Sequence, residues 1–195
     1  MPTIDLQITP IETGRLVLSM PEPNAAERVF EYLERNWLRF GIQPSAREPG
    51  QALASLKVEL ADARISFRAG RSMRLYAFDK SNADGSPIGD VALSEIIRGP
   101  FQACFLGYRI DGSREGLGLA SEAVMAIVEY AFSVLNIHRI MANYIPTNER
   151  SGRLLKRNGF VVEGYARDYL FLEGEWRDHI LTSLNNPNWQ RVKLK

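Results

Sequence analysis

This sequence predicts a mixed α/β fold, and three observations carry the prediction. Strand-period and helix-period stretches alternate in the order strand, two helices, three strands, helix, strand, helix, two strands. The strand-like run 101–110 passes through a glycine-bearing turn into a long helical pattern and then a further strand at 138–144, which is the order of a crossover unit with parallel strands. Short turn clusters join the strands of 72–110, so that part should be an antiparallel meander. The expected sheet is therefore mostly antiparallel with one parallel pair, flanked by about four helices.

Length and composition agree. The chain has 195 residues and is 45% hydrophobic, enough for one domain over 1–195 with a substantial core. Its 24 basic and 23 acidic residues give a formal charge of +1, so no global field argues for nucleic acid or a membrane surface. The one cysteine, Cys104, excludes an internal disulfide, reads as a buried strand thiol, and belongs to no metal-ligand cluster. The first twenty residues mix acids, prolines and a glycine with short apolar pieces, unlike a signal peptide or a membrane span. A cytoplasmic location is expected.

Each element has its own signal. Residues 14–20 form a strand stopped by Pro21 and Pro23. Asn24 with Glu27 makes a capping-box-like start to a first helix, carried by Ala26, Val29, Phe30, Leu33, Trp37 and Phe40 and broken over 41–44. A second helix starts at Ser45, with Leu53, Leu56, Leu60, Ala63 and Phe67 as its stripe and Gly70 as its end. Alternation over 73–78 gives a strand, and 81–86 a turn. Strands follow at 87–97 and 101–110, joined at Arg98-Gly99-Pro100. The glycine turn then opens a helix of about five turns with Leu119, Ala123, Ala126, Tyr130 and Val134 on one face. After strand 138–144, Asn148 starts a short helix that Gly159 closes. Residues 160–172 and 175–184 read as a long hairpin around Glu173-Gly174.

The most informative stretch is Arg114-Glu115-Gly116-Leu117-Gly118-Leu119-Ala120. Two glycines one residue apart leave backbone N–H groups bare where a helix begins. Such a start carries unpaired donors and about half a positive charge, which suits a phosphate or diphosphate. Glycines at a strand-to-helix turn also serve purely conformational ends, and the turn alone does not decide between the two.

A second stretch adds to it: Asn143-Tyr144-Ile145-Pro146-Thr147-Asn148-Glu149-Arg150-Ser151, continuing to Arg157-Asn158-Gly159-Phe160. Together with Gly14-Arg15-Leu16-Val17-Leu18, Leu106-Gly107-Tyr108, 138–144, Glu163-Gly164-Tyr165 and Trp176-Arg177-Asp178-His179, these residues resemble the Gcn5-related N-acetyltransferase (GNAT) family. Within it they resemble the ribosomal-protein N-terminal acetyltransferases of the RimJ/RimL type, RimJ-like alanine acetyltransferases above all. The resemblance spans roughly 13–189. It implies a sheet whose parallel pair splays, acetyl-CoA as cosubstrate with no metal, and a protein N-terminus as acceptor, the N-terminal alanine of a ribosomal protein.

The resemblance also implies roles. Arg114, Glu115, Gly116, Leu117, Gly118 and Leu119 would hold the diphosphate, and Tyr108, Arg109 and Ile110 would offer main-chain groups to the pantetheine arm and thioester carbonyl. Asn143 and Asn148 join the coenzyme contacts. Ser151 lies near the departing sulfur and takes the general-acid role, because Leu155 stands where many relatives carry a tyrosine. Asp168 is the candidate proton acceptor, two residues before Leu170 on the same strand face, and Tyr144 is a further candidate near the sulfur. The acceptor would enter past Trp37, Phe40, Tyr165 and Tyr169. Glu115 and Leu117 depart from the family's glutamine or arginine and its basic residue; a carboxylate there is unfavourable unless it turns to solvent, and Arg114 would supply the missing charge.

Plainer readings stand beside these. Tyr108 can be a half-buried sheet tyrosine, Asn148 a helix N-cap, and Asp168 a partner of Arg167 or Arg177. Arg153, Lys156 and Arg157 can reach a 3′-phosphate or form a solvated helix face. His138 and His179 are read as structural. Two other functions remain open at this stage: acetylation of a small amine, and a ribosome-assembly binding role with vestigial catalysis.

Overall fold

The computed structural model describes residues 9–41, 49–82 and 85–190. Its elements form one eight-stranded sheet. The chain opens with β1 (Ile11–Glu12) and β2 (Leu16–Ser19), then two helices, α1 (Ala26–Phe40) and α2 (Pro49–Arg68). The meander β3 (Met73–Asp79), β4 (Gly89–Ile97) and β5 (Ala103–Ile110) follows. Next come α3 (Leu119–Ser133), β6 (Arg139–Met141), α4 (Glu149–Arg157) and the hairpin β7 (Val161–Leu172) and β8 (Glu175–Asn185). The strand order is β1-β2-β3-β4-β5-β6-β8-β7. Only β5 and β6 run parallel; the other neighbours are antiparallel.

The helices cover both faces. On one, α3 and α4 pack on Leu16, Leu18, Leu75, Leu93, Cys104 and Ile140 in the larger core. On the other, α1 and α2 bury Val29, Tyr32, Leu56 and Leu60 against Tyr76 and Phe78. Alternation along β3 divides its side chains between the two cores: Leu75 and Ala77 go to one, Tyr76 and Phe78 to the other. Among the described residues no helix is long and apolar enough to cross a membrane.

Several boundaries differ from the sequence reading. The strand expected at 14–20 keeps only 16–19, because residues 13–16 form a turn that lets β1 pair with β2. Asn24 does not cap α1: a single 3-10 turn, Pro23–Ala25, leads in, and no side chain caps the helix. The expected start of α2 at Ser45 lies outside the described residues. The buried face of α3 is broader than expected: Leu119 and Ala123 are buried and Ala126 and Tyr130 pack on the core as expected, but Val124, Ile127, Val128 and Ala131 are buried as well, while Val134 is 49% exposed. The helix has 15 residues, about four turns rather than five. Strand 138–144 shortens to three residues because the chain leaves β5 after Met141.

Candidate active site

The glycine turn follows the carboxyl end of β5. Gly116 has φ 74° and Gly118 φ 77°, a left-handed geometry that costs an L-residue about 1–2 kcal/mol. Both glycines are exposed, and a Cβ on Gly116 would meet nothing within 4 Å. Gly118 is the N-cap of α3, with no side-chain cap over the first turn. Bare, outward-turned backbone at an uncapped helix start fits a diphosphate. Leu119 contributes only backbone there, as its side chain enters the core.

Three polar ties hold this turn. From the N-terminal strands, the Arg15 guanidinium donates to the Leu117 carbonyl at 2.8 Å and to Glu122 Oε2 at 2.7 Å. Thr13 Oγ1 and the Arg15 amide donate to Glu122 Oε1, and these bonds hold the Glu122 carboxyl below its usual range although burial works against them. From α1, Arg35 Nε donates to Asp111 Oδ2 at 2.5 Å, and the Asn36 amide both donates to Asp111 and accepts from the Gly112 N–H. Asp111 also accepts from the amide and hydroxyl of Ser113. Burial pushes the Asp111 carboxyl up, but the Arg35, Ser113 and Asn36 bonds prevail and hold it at about 2. The third tie is Glu115. Its carboxylate does not turn to solvent but pairs with Arg39 at the end of α1 and Arg150 at the start of α4. Arg114 lies 3.6 Å from Asp79, so the charge expected of it is already partnered.

Beside the turn, β5 and β6 part. Their pairing ends at Phe105 and Met141, while β5 continues along β4 to Ile110 and Tyr144 bridges to Ile180 of β8. Between Leu106 and Ile110 the main-chain groups facing β6 have no strand partner among the described residues. The side chain of Arg109 points away from this opening, donating to both oxygens of Asp90 at 2.8 and 3.1 Å, with Phe40 5.0 Å beneath its guanidinium.

The opening faces the first turn of α4. Asn148 caps that helix, its Oδ1 accepting from the Ser151 N–H at 3.1 Å. The Ser151 hydroxyl lies 2.7 Å from the Tyr108 hydroxyl. Burial raises the Tyr108 pKa, with the Ser151 bond opposing and Tyr144 adding to it. Tyr144 packs on Gly152 so closely that a Cβ there would stand 2.8 Å from its Cζ and Oη. Tyr108, Tyr144, Asn148 and Ser151 thus form one cluster.

Other expected residues lie elsewhere or are already engaged. Asn143 is held by protein at both ends of its amide, accepting from the Thr182 N–H at 3.2 Å and donating to Tyr169 Oη at 3.1 Å. Asp168 does not share a face with Leu170 by simple alternation. The register breaks between Ala166 and Leu170, where three residues of β7 oppose the single Asp178, and Asp168 takes φ 49°. Its N–H donates to Asp178 Oδ1 at 2.9 Å. Its carboxylate is in no ion pair among the described residues, and Arg177 pairs with Glu175 instead. Leu155 is buried in the core, so no acid occupies that position. Cys104 is fully buried, its thiol pushed up to about 12 by burial. His179 packs on Tyr169 and His138 on Trp189, as structural readings expect. Of the four aromatics expected to line an acceptor groove, only Trp37 lines the cleft between the end of α1 and the hairpin tip, with Leu38, Gly41, Glu173 and Gly174. Phe40 packs on Tyr32, Tyr165 bonds Asp178, and Tyr169 bonds Asn143.

Comparison with known proteins places this geometry. Residues 15–161 match the family model described as Acetyltransferase (GNAT) domain. The chain is 38% identical over 182 residues to the [ribosomal protein uS5]-alanine N-acetyltransferase of Escherichia coli (strain K12), covering 92% of each. The crystal structure of the ribosomal-protein-S5-alanine acetyltransferase from Vibrio fischeri superposes with a TM-score of 0.82 at 32% identity, over 94% of this chain and 100% of that one. Mycobacterium smegmatis RimJ, solved in complex with CoA-disulfide, shares the fold at a TM-score of 0.78 and 22% identity, covering 98% and 92%.

Proposed function

The chain belongs to the GNAT acetyltransferase family and is an acetyl-CoA-dependent N-acetyltransferase; from that premise we propose that it acetylates the N-terminal α-amino group of a ribosomal protein, with alanine as the first residue. The parting of β5 from β6 beside the uncapped start of α3 carries this reading. Its acceptor rests on likeness to a uS5-alanine acetyltransferase over nearly the whole of both chains.

In this reading the amides of 116–119 hold the diphosphate, and the unpaired main-chain groups of Tyr108–Ile110 hold the pantetheine arm and the thioester oxygen as charge develops on it. Asn148 fixes the first turn of α4 and so the position of Ser151. The Ser151 hydroxyl, oriented by Tyr108, donates to the departing sulfur. Asp168, in no ion pair among the described residues, receives the proton of the acceptor ammonium, directly or through water; an α-amino pKa of about 7.7–8.0 makes a strong base unnecessary. Tyr144 shapes the space at the sulfur. The amine attacks the thioester directly, and the buried, protonated Cys104 is no candidate for a covalent acetyl carrier.

The test is incubation with acetyl-CoA and short peptides differing only in the first residue, with spermidine as a competing acceptor. Mass spectrometry should find one added acetyl group at the N-terminus of alanine-starting peptides. Exclusive acetylation of spermidine or of lysine side chains would overturn the proposal.

A further inference from the structure

Guanidinium groups ring the start of α3, and each is paired with a carboxylate. Arg15 holds Glu122 and Arg114 lies near Asp79, each a single ion pair among the described residues. Arg39 and Arg150 instead share Glu115, two cations to one anion. The Glu115 side chain is 19% exposed, while those of Arg39 and Arg150 are 45% and 56% exposed. Each guanidinium has five N–H donors, so both keep capacity for a further anion. Glu115 also directly precedes Gly116, the first of the bare glycines, and Arg39 passes Gly112 of the same turn, its Cδ 3.6 Å from where a Cβ would stand. A fixed carboxylate one residue before the bare glycines opposes a diphosphate seated there and already engages two guanidiniums that could receive one.

We propose that Glu115 is a resident competitor for the diphosphate of the coenzyme: in the free protein its carboxylate holds Arg39 and Arg150, and the diphosphate takes those guanidiniums when it is seated on the glycine turn. The inference rests on the reading of that turn as the coenzyme site. The exchange replaces one anion by another on the same cations and forms no covalent bond. It sets coenzyme affinity below what the arginines alone would give.

Isothermal titration calorimetry with CoA and with dephospho-CoA, which keeps the diphosphate but lacks the 3′-phosphate, separates the two readings. Wild type should bind both, and Gly118→Val should lose both; binding untouched by Gly118→Val, or absent from wild type, removes the site reading and this inference with it. With the site standing, Glu115→Gln should tighten both ligands to a similar extent, by roughly three- to tenfold. That gain should vanish in the Arg39→Gln/Arg150→Gln background. Unchanged or weakened binding in Glu115→Gln would make Glu115 a mere clamp and overturn the proposal, as would a gain confined to CoA. If Glu115→Gln does not fold, Arg39→Gln and Arg150→Gln serve instead. Each should weaken both ligands equally, and no loss from either would be decisive against the exchange.

Discussion

The hydroxyl of Tyr108, near the end of β5, lies 2.7 Å from the hydroxyl of Ser151 in the first turn of α4. It is the direct polar link across the gap where β5 leaves β6. It joins the strand that would present the thioester to the residue that would meet the leaving group. On the proposed reading, removing the Ser151 hydroxyl would remove a hydrogen bond to a developing thiolate, worth about 1.5–3 kcal/mol. Ser151→Ala should therefore lower kcat by about 10- to 100-fold with KM for acetyl-CoA little changed. Tyr108→Phe should cost less, since it only orients the donor. Steady-state kinetics on an alanine-starting peptide checks both.

Gly152 cannot accept a side chain without moving Tyr144, whose ring atoms would lie 2.8–2.9 Å from the new Cβ. Overpacking of this kind costs about 1–3 kcal/mol. Gly152→Ala should lower Tm by about 2–12 °C, on the scale of 2–4 °C per kcal/mol for a chain of this size. Thermal unfolding followed by circular dichroism measures it.

Asp111 gives stability a defined acid dependence. Its folded pKa of about 2 lies below the ordinary 3.8, so the unfolded chain binds its proton first as pH falls. The stabilisation is present above about pH 4, declines as pH falls toward 2, and amounts to about 2 kcal/mol. Asp111→Asn should be less stable at pH 7 and show a flatter acid limb between pH 4 and 2. Urea denaturation at a series of pH values reads both effects.

Asp168 sits in the left-handed region at a bulge. Asparagine tolerates that conformation, so Asp168→Asn changes the charge and leaves the backbone requirement satisfied. Its Tm should stay within about 2 °C of wild type, while on the proposed reading kcat with peptide falls by about 100-fold or more, the lower end for a lost general base. Unaltered turnover would assign proton removal to water or to another residue.

The order of elements was legible because glycines, caps and periodicity are local signals. The parallel pair followed from the β5–α3–β6 order alone. The α3 face was read in part: Leu119 and Ala123 are buried, but the helix is apolar around most of its girth, so steps of four residues miss Val124, Ile127 and Val128 and drift to exposed Val134. The bulge at Asp168 defeats a strict two-residue period, and nothing in Tyr165-Ala166-Arg167-Asp168 announces it. Gly116, Gly118, Asn148 and Ser151 stood out by pattern and resemblance. Arg35, Asn36 and Arg39 did not, and Arg15 stood out only as part of the Gly14–Leu18 stretch and without its partner, because the partners are distant in sequence: Arg35 and Asp111 are 76 residues apart, Arg15 and Glu122 107. Only the closed fold makes such residues neighbours.

Because Arg35, Asn36 and Arg39 fasten the C-terminal half of α1 to residues 111–115, that helix serves two masters. On the proposed reading, an engineer who transplants α1 from another acetyltransferase to redirect the enzyme toward a new amine would also disturb the turn that seats the donor. Retargeting would have to keep those three positions and vary the outward ones, such as Glu34 and Leu38.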